Sequence, residues 1–183
     1  MTTGPDGPVY TYDSFNRMLT AKNGTGPLNT FTCDGMNRQL SRKVGSAAVY
    51  YGWDLVGEYA SGSSTAFYAY LYGATGLVKN VKTNNYYYQD ANGSTTHLAN
   101  STGALKESYR YDLHGQPIFF NAGGTQITGT AFGVRHLFTG QQWYSEIALY
   151  DLRNRYYSPD IGRFLQADPI GFRGDPTNIY RYR

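Results

Sequence analysis

The chain has 183 residues with 19 Tyr, 9 Phe and 22 Gly, yet only 16% are charged and the net charge is +3. That weak, mixed charge argues against nucleic-acid binding, which calls for a clustered basic stripe. A single cysteine, Cys33, excludes an intrachain disulfide, and no apolar run is long enough to cross a membrane as a helix.

The N-terminal "MTTGPDGPVY" has neither the basic nor the apolar region of a signal peptide, so none is expected in this chain. From Val9 onward the sequence repeats. In chain order the segments are "VYTYDSFNRML", "NTFTCDGMNRQL", "VYYGWDLVGEY", "FYAYLYGATGLV", "YYYQDANGSTTHL" and "ESYRYDLHGQPIFF". Each opens with aromatics at alternate positions, and most continue with Asp or Gly, a small turn, and an apolar or basic exit. Tyr12, Cys33, Trp53 and Tyr72 hold one equivalent position at intervals of 21, 20 and 19, continued less evenly by Tyr88 and Tyr111.

One unit can be read physically. Tyr10 and Tyr12 are two apart and share a face of a strand. Asp13 sits at the strand end, where its carboxylate can accept turn amides. In "CDGMNRQL" the Asp34-Gly35 pair predicts a tight turn with Gly35 at positive φ. Each unit is thus a β-hairpin of about twenty residues, and breakers such as "NGTGP", "GSSTA" and "NAGGT" separate the units. A lone hairpin is marginal in water, so successive hairpins must pair edge to edge into one long, curved sheet. The fold class is all-β. The open edges of such a sheet, with little charge to blunt them, predict self-association.

"YDLRNRYY" reads as one strand, with Tyr150, Leu152, Asn154 and Tyr156 on one face and Asp151, Arg153, Arg155 and Tyr157 on the other. Tyr156 is then the buried member of its pair and Tyr157 the exposed one. "SPDIG" is a turn, after which Phe164 and Leu165 re-enter the core.

Units of the form Tyr-x-Tyr-Asp-x-x-Asn/Gly-Arg-x-Leu resemble the tyrosine-aspartate repeats of bacterial Rhs proteins, and also the shells of toxin-complex C proteins and teneurins. From Phe138 onward, "FTGQQWYSEIALYDLRNRYYSPDIGRFLQADPIG" is similar to the Rhs-associated core. The resemblance implies two regions: residues 1–137 as hairpin repeats, and residues 138–183 as a core-like segment of the same continuous sheet. It implies a structural shell segment that encapsulates or plugs a toxin, within a larger secreted or cell-surface protein. The partners it implies are a toxin domain or a second sheet edge, with no cofactor and no metal. The chain departs from the family where Glu146 is followed by "IAL" rather than a Gly-Leu exit, and where "RGDPTN" replaces a glycine pair.

In the resembling proteins, aspartates of Asp-Pro-x-Gly motifs form a self-cleaving site in which two carboxylates share a proton. Here only Asp168 to Gly171 fits. Asp168 is the catalytic candidate and Arg163 its candidate charge partner, while turn capping is the competing role and the favoured one. With the motif incomplete, the chain is expected not to cut itself. The alternative function is carbohydrate binding, with Trp53, Trp143 and Tyr157 as stacking rings; a hydrolase is the remaining alternative. "DANGS" (Asp90, Asn92, Ser94) suggests part of a calcium loop but lacks the distal Glu, so a turn is expected there.

Overall fold

The computed structural model describes residues 7–51, 57–74 and 76–182; Trp53 lies outside them. The architecture is all-β. Thirteen strands form an antiparallel sheet whose spatial order is the chain order: β1 (Val9–Tyr12), β2 (Met18–Lys22), β3 (Asn29–Cys33), β4 (Gln39–Val44), β5 (Ala47–Tyr51), β6 (Gly57–Ala60), β7 (Ala66–Gly73), β8 (Gly76–Asn80), β9 (Asn85–Gln89), β10 (Thr95–Ala99), β11 (Leu105–Tyr111), β12 (Pro117–Asn121) and β13 (Gln126–Ile127). Four more form a second sheet, in order β14 (Gln142–Tyr144), β15 (Leu149–Asp151), β16 (Tyr156–Ser158) and β17 (Arg163–Phe164). The C-terminal segment therefore does not continue the repeat sheet, which corrects the expectation of one continuous sheet through residues 138–183.

The chain divides into two compact units. One comprises Met1–Tyr51 with Tyr144–Arg183, the other Gly52–Trp143. The break falls at Trp143–Tyr144 rather than at residue 137, and the C-terminal residues return to the first hairpins.

Among the described residues, six hairpin turns share one construction. Each spans five residues beginning with Asp or Asn: 13–17, 34–38, 90–94, 100–104, 112–116 and 121–125. In the first, Tyr12 lies opposite Met18, and Asp13 N–H donates to the Arg17 carbonyl at 2.9 Å. Asp13 Oδ1 accepts the amides of Phe15 and Arg17, both at 2.9 Å. Asp34, Asp90, Asn100, Asp112 and Asn121 accept the amides two and four residues on in the same way. A short side chain with a fixed acceptor thus satisfies two turn donors that strand pairing leaves over. "DANGS" is one of these turns, with Asp90 Oδ1 occupied by the amides of Asn92 and Ser94.

The fourth residue of each turn is left-handed: Asn16 and Asn37 at φ 61°, then Gly93, Gly103, Gly115 and Gly124. Gly35 does not hold that position. The positive φ falls on Asn37, two residues later, which corrects the Asp-Gly reading. The fifth residue of the first two turns is arginine. Arg17 Nε reaches Asp13 Oδ2 at 2.6 Å and Arg38 Nε reaches Asp34 Oδ2 at 2.7 Å. The turn amides and arginines hold both carboxyls below the usual range. Each residue of the Asp-x-x-Asn-Arg motif therefore has its own physical job.

Substitutions at Asn37 test this. Asn37→Gly is expected to be near neutral. Asn37→Val forces a β-branched side chain into the left-handed region and is expected to cost about 1–2 kcal/mol. Urea denaturation of the two variants checks it, and equal losses would show that Asn37 acts through its side chain rather than its backbone.

Candidate functional site

In both units the chain after the hairpins comes back to cover one face of the sheet. In the first unit the cover is built from aromatic rings. Tyr144, Ile147, Leu149 and Tyr156 pack with Met18, Ala21 and Phe31, flanked by Tyr10, Tyr12 and Leu165. Phe31 lies 6.0 Å from the Tyr144 ring and 5.2 Å from that of Tyr156. The alternation read in β1 and β3 is what places these rings inward.

The hydroxyls of this cluster converge on few acceptors. Tyr144 Oη donates toward Gln39 Oε1 and Asp151 Oδ2, each at 3.2 Å, and Tyr156 Oη donates to Gln39 Oε1 at 3.3 Å. Arg42 is buried, lies 4.2 Å above the Tyr144 ring and pairs with Glu146 at 3.2 Å. The family-like Glu146 thus anchors the cover to β4, although its Gly-Leu exit is missing.

Desolvation pushes the Asp151 carboxyl above its usual range, against the pull of the Arg153 amide and the Tyr144 hydroxyl. The folded state therefore holds this proton more tightly than the unfolded chain does. Its contribution to stability is fully present below the unfolded value of about 3.9 and is lost as pH rises through the folded value. Asp151→Asn keeps the acceptor for Arg153 N–H without the charge. It is expected to raise the melting temperature at pH 7, with the gain closing toward about pH 3. A gain of equal size across that range would show that charge is not the cause.

"YDLRNRYY" is a hairpin, not one strand. β15 ends at Asp151, Leu152 N–H donates to the Arg155 carbonyl at 3.0 Å, and Arg153 takes φ 66°. Tyr150 then pairs with Tyr157 and Asp151 with Tyr156. The faces predicted for a continuous strand are therefore wrong. Tyr157 is 2% exposed and Tyr156 is 7% exposed. Tyr157 packs against Tyr150, Phe164 and Tyr182, the last at 4.5 Å between ring centroids. As a stacking ring for sugar, Tyr157 is closed off by its neighbours. Trp143 is also buried.

Asp168 caps a turn: its Oδ1 accepts Ile170 N–H at 3.0 Å, and its carbonyl accepts Gly171 N–H at 2.8 Å. Its ion-pair partner is Arg155, at 3.0 Å, and not Arg163. The reason is strand alternation. In β17, Phe164 takes the inner face and Arg163 is left exposed. Arg155 lies 3.7 Å above the Phe164 ring as it reaches Asp168. Asp175, the second Asp-Pro aspartate, is buried. It accepts the Thr177 and Asn178 amides on Oδ1 and pairs with Arg181 through Oδ2 at 3.1 Å.

In the second unit the cover is a strap, residues 128–141, held by two glutamates that sequence reasoning missed. Glu107, 1% exposed on β11, accepts Ala131 N–H at 2.7 Å, the Thr130 hydroxyl at 2.6 Å and the Tyr109 hydroxyl at 2.7 Å. Glu58, 1% exposed on β6, forms an ion pair with Arg135 and accepts the Tyr70 hydroxyl at 2.9 Å. A buried carboxylate is costly unless donors and a counter-charge offset its desolvation; Glu107 has three donors, and Glu58 has a guanidinium and a hydroxyl on one oxygen. His136 is buried against Tyr70, and desolvation with the neighbouring Arg135 pushes its pKa down to about 3. Its carbonyl accepts the Thr95 hydroxyl at 2.7 Å. Glu107 had one readable signal: it stands two residues before Tyr109, so an acid shares the face of an aromatic strand.

The class is a hairpin-repeat wall whose face is lined by its own downstream chain. A crystal structure of TcdB2–TccC3 without the hypervariable C-terminal region has this fold. It superposes with a TM-score of 0.71 at 19% identity, covering 96% of this chain and 9% of that one. No family model matches the chain. The tRNA3(Ser)-specific nuclease WapA of Bacillus spizizenii is 28% identical over 188 residues, 95% of this chain and 8% of the relative. The double-stranded DNA deaminase toxin A of Burkholderia cenocepacia is 28% identical over 97 residues, 53% of this chain and 6% of the relative. The chain is similar to these proteins over its hairpin repeats and shares the fold of the toxin-complex structure, and it spans less than a tenth of the length of each.

Proposed function

We propose that this chain is a wall segment of an Rhs-type container for a toxin, in a protein that works outside the cell or at its surface. The observation that carries the reading is the covered face. In each unit the downstream chain is fixed onto the hairpins by polar anchors, the buried Glu58 and Glu107 in one and the buried Arg42 with the half-buried Gln39 in the other. Such anchoring makes a rigid lining rather than an open binding groove. The relatives support it from a second side. One is named for cutting tRNA and the other for deaminating DNA, yet both share this kind of segment. A segment common to two unlike chemistries is the scaffold and not the chemistry.

The test is a chimera. This chain replaces the aligned segment of a WapA-type protein, and the product is digested with a nonspecific protease. A wall segment leaves the nuclease as protected as in the parent. A nuclease degraded as fast as in a protein with the segment deleted would overturn the reading. Intact mass measured over the same incubation reports any self-cleavage, and Asp168→Asn identifies whether that aspartate is responsible.

A further inference from the structure

The strap of the second unit has little regular structure of its own. Residues 128–141 contain no strand and one 3-10 turn, Phe138–Gly140. Hydrogen bonds join this stretch to β10 and the turn before it. The Thr95 hydroxyl donates to the His136 carbonyl at 2.7 Å, Thr95 N–H donates to the Leu137 carbonyl at 3.1 Å, and Thr139 N–H donates to Ser94 Oγ at 3.0 Å. Val134 and Leu137 are buried, and Phe138 lies over Gly115, where a side chain would strike its ring. Closure therefore rests on local bonds and packing, not on a shared ladder.

One buried group of the strap has no part in the wall reading. His136 is 3% exposed, and its ring lies 4.5 Å from that of Tyr70 and 6.4 Å from that of Tyr72. Nε2 is 3.3 Å from Tyr72 Oη, and Nδ1, also buried, has no hydrogen-bond partner among the described residues. Its neighbour Arg135 carries the same sign of charge as a protonated imidazole. Glu58 on β6 is committed through Oε1 to that guanidinium and to the Tyr70 hydroxyl. The other groups on the surrounding elements carry no charge in acid: Tyr70 and Tyr72 on β7, Tyr87 on β9, Thr95 on β10, Tyr111 on β11 and Gln142 on β14. A proton on this ring would be a second positive charge beside Arg135, in a site closed to water, with the facing carboxylate already in use.

We propose that His136 makes the strap an acid-released latch: one proton on its ring detaches the strap from β10 while the sheet beneath stays paired. Linkage sets the direction. Closure pushes the ring's pKa down to about 3, whereas an open strap returns it to about 6.5. The ring's contribution to closure is fully present above about pH 6.5 and is lost progressively as pH falls toward 3. Within that window opening gains about tenfold per pH unit. The cover of the first unit responds in the opposite sense, because burial holds the Asp151 carboxyl above its usual range and acid favours its closed form. Mild acid thus loosens one cover without loosening the other. The latch belongs to the strap and the strands under it, whatever the parent protein contains.

Hydrogen exchange on the whole chain at about pH 7.5 and about pH 5, corrected for the intrinsic rate, tests the latch. The Thr95 and Thr139 amides bond across the contact between strap and sheet. They are expected to open about thirtyfold more often at the lower pH. Amides of the β11–β12 ladder, and of β15 and β16 in the first unit, are expected not to follow. His136→Phe keeps a ring without the charge and is expected to abolish the increase; His136→Gln serves the same purpose should the first variant fail to fold. His97→Gln combined with His114→Gln removes the two exposed histidines and is expected to leave the increase intact. Acid opening that persists without His136 would assign the effect to Glu58 or Glu107 and overturn the proposal. Equal opening throughout the chain, or no increase at the lower pH, would overturn it as well.

Discussion

Tyr157→Ala is expected to destabilise the first unit by about 3–5 kcal/mol, as much as Tyr156→Ala. Sequence alternation alone predicts the opposite, a mild effect at Tyr157. The structure reverses this because the turn at residues 152–155 folds the segment back on itself. Tyr157 is left 2% exposed among Tyr150, Phe164 and Tyr182. Tyr156 is enclosed by Phe31 and Tyr144 on the other side. Both rings contribute burial and edge contacts, and neither site can collapse easily, because aromatic neighbours line it. Arg163→Ala, at an exposed position of the same sheet, is the control and is expected to stay within roughly 0.5 kcal/mol. Guanidinium denaturation of the three variants decides it. A mild Tyr157→Ala would mean that residues 150–157 do not form the hairpin.

Glu58→Leu is expected to cost about 3–5 kcal/mol in the second unit, because it removes the carboxylate that pairs with the Arg135 guanidinium, a side chain 15% exposed. The cost should lie mostly in keeping that guanidinium desolvated without its carboxylate and not in the lost attraction. The double variant Glu58→Leu with Arg135→Met is therefore expected to recover much of the loss. Hydrogen exchange supplies a local readout. In Glu58→Leu the strap amides should exchange faster than those of β9 and β10, and in the double variant they should slow again. If the double variant is as unstable as the sum of the two single variants, the pair holds the strap by a mechanism other than mutual charge compensation.

The repeat was legible because its physics is local. Aromatics at i and i+2, an aspartate at the strand end and an asparagine or glycine three residues later all act within one hairpin. The hairpin order followed from the same features, and the likeness to toxin-complex shells agrees with it. Three things were not legible, each for a physical reason. Arg153 turns the chain in a left-handed conformation, and arginine gives no turn signal. Glu146 meets Arg42, and Asn37 meets Asn154, across more than 100 residues, a pairing that strand periodicity does not encode. Arg163, read as the partner of Asp168 from its nearness in sequence, is turned outward by the alternation of β17, and the ion pair goes to Arg155 instead.

The division of the chain has a consequence for its birth on the ribosome. The first hairpins, through Tyr51, present Phe31, Met18 and their neighbours on a face whose cover begins at Tyr144. At translation speeds of about 5–20 residues per second, that face waits roughly 5–20 seconds for its cover. During the delay a nascent sheet with an apolar face is exposed to other nascent chains. Synthesis order thus makes the first unit the last to be completed, and it sets a window in which holding chaperones or a translational pause before Tyr144 would govern the yield of folded protein.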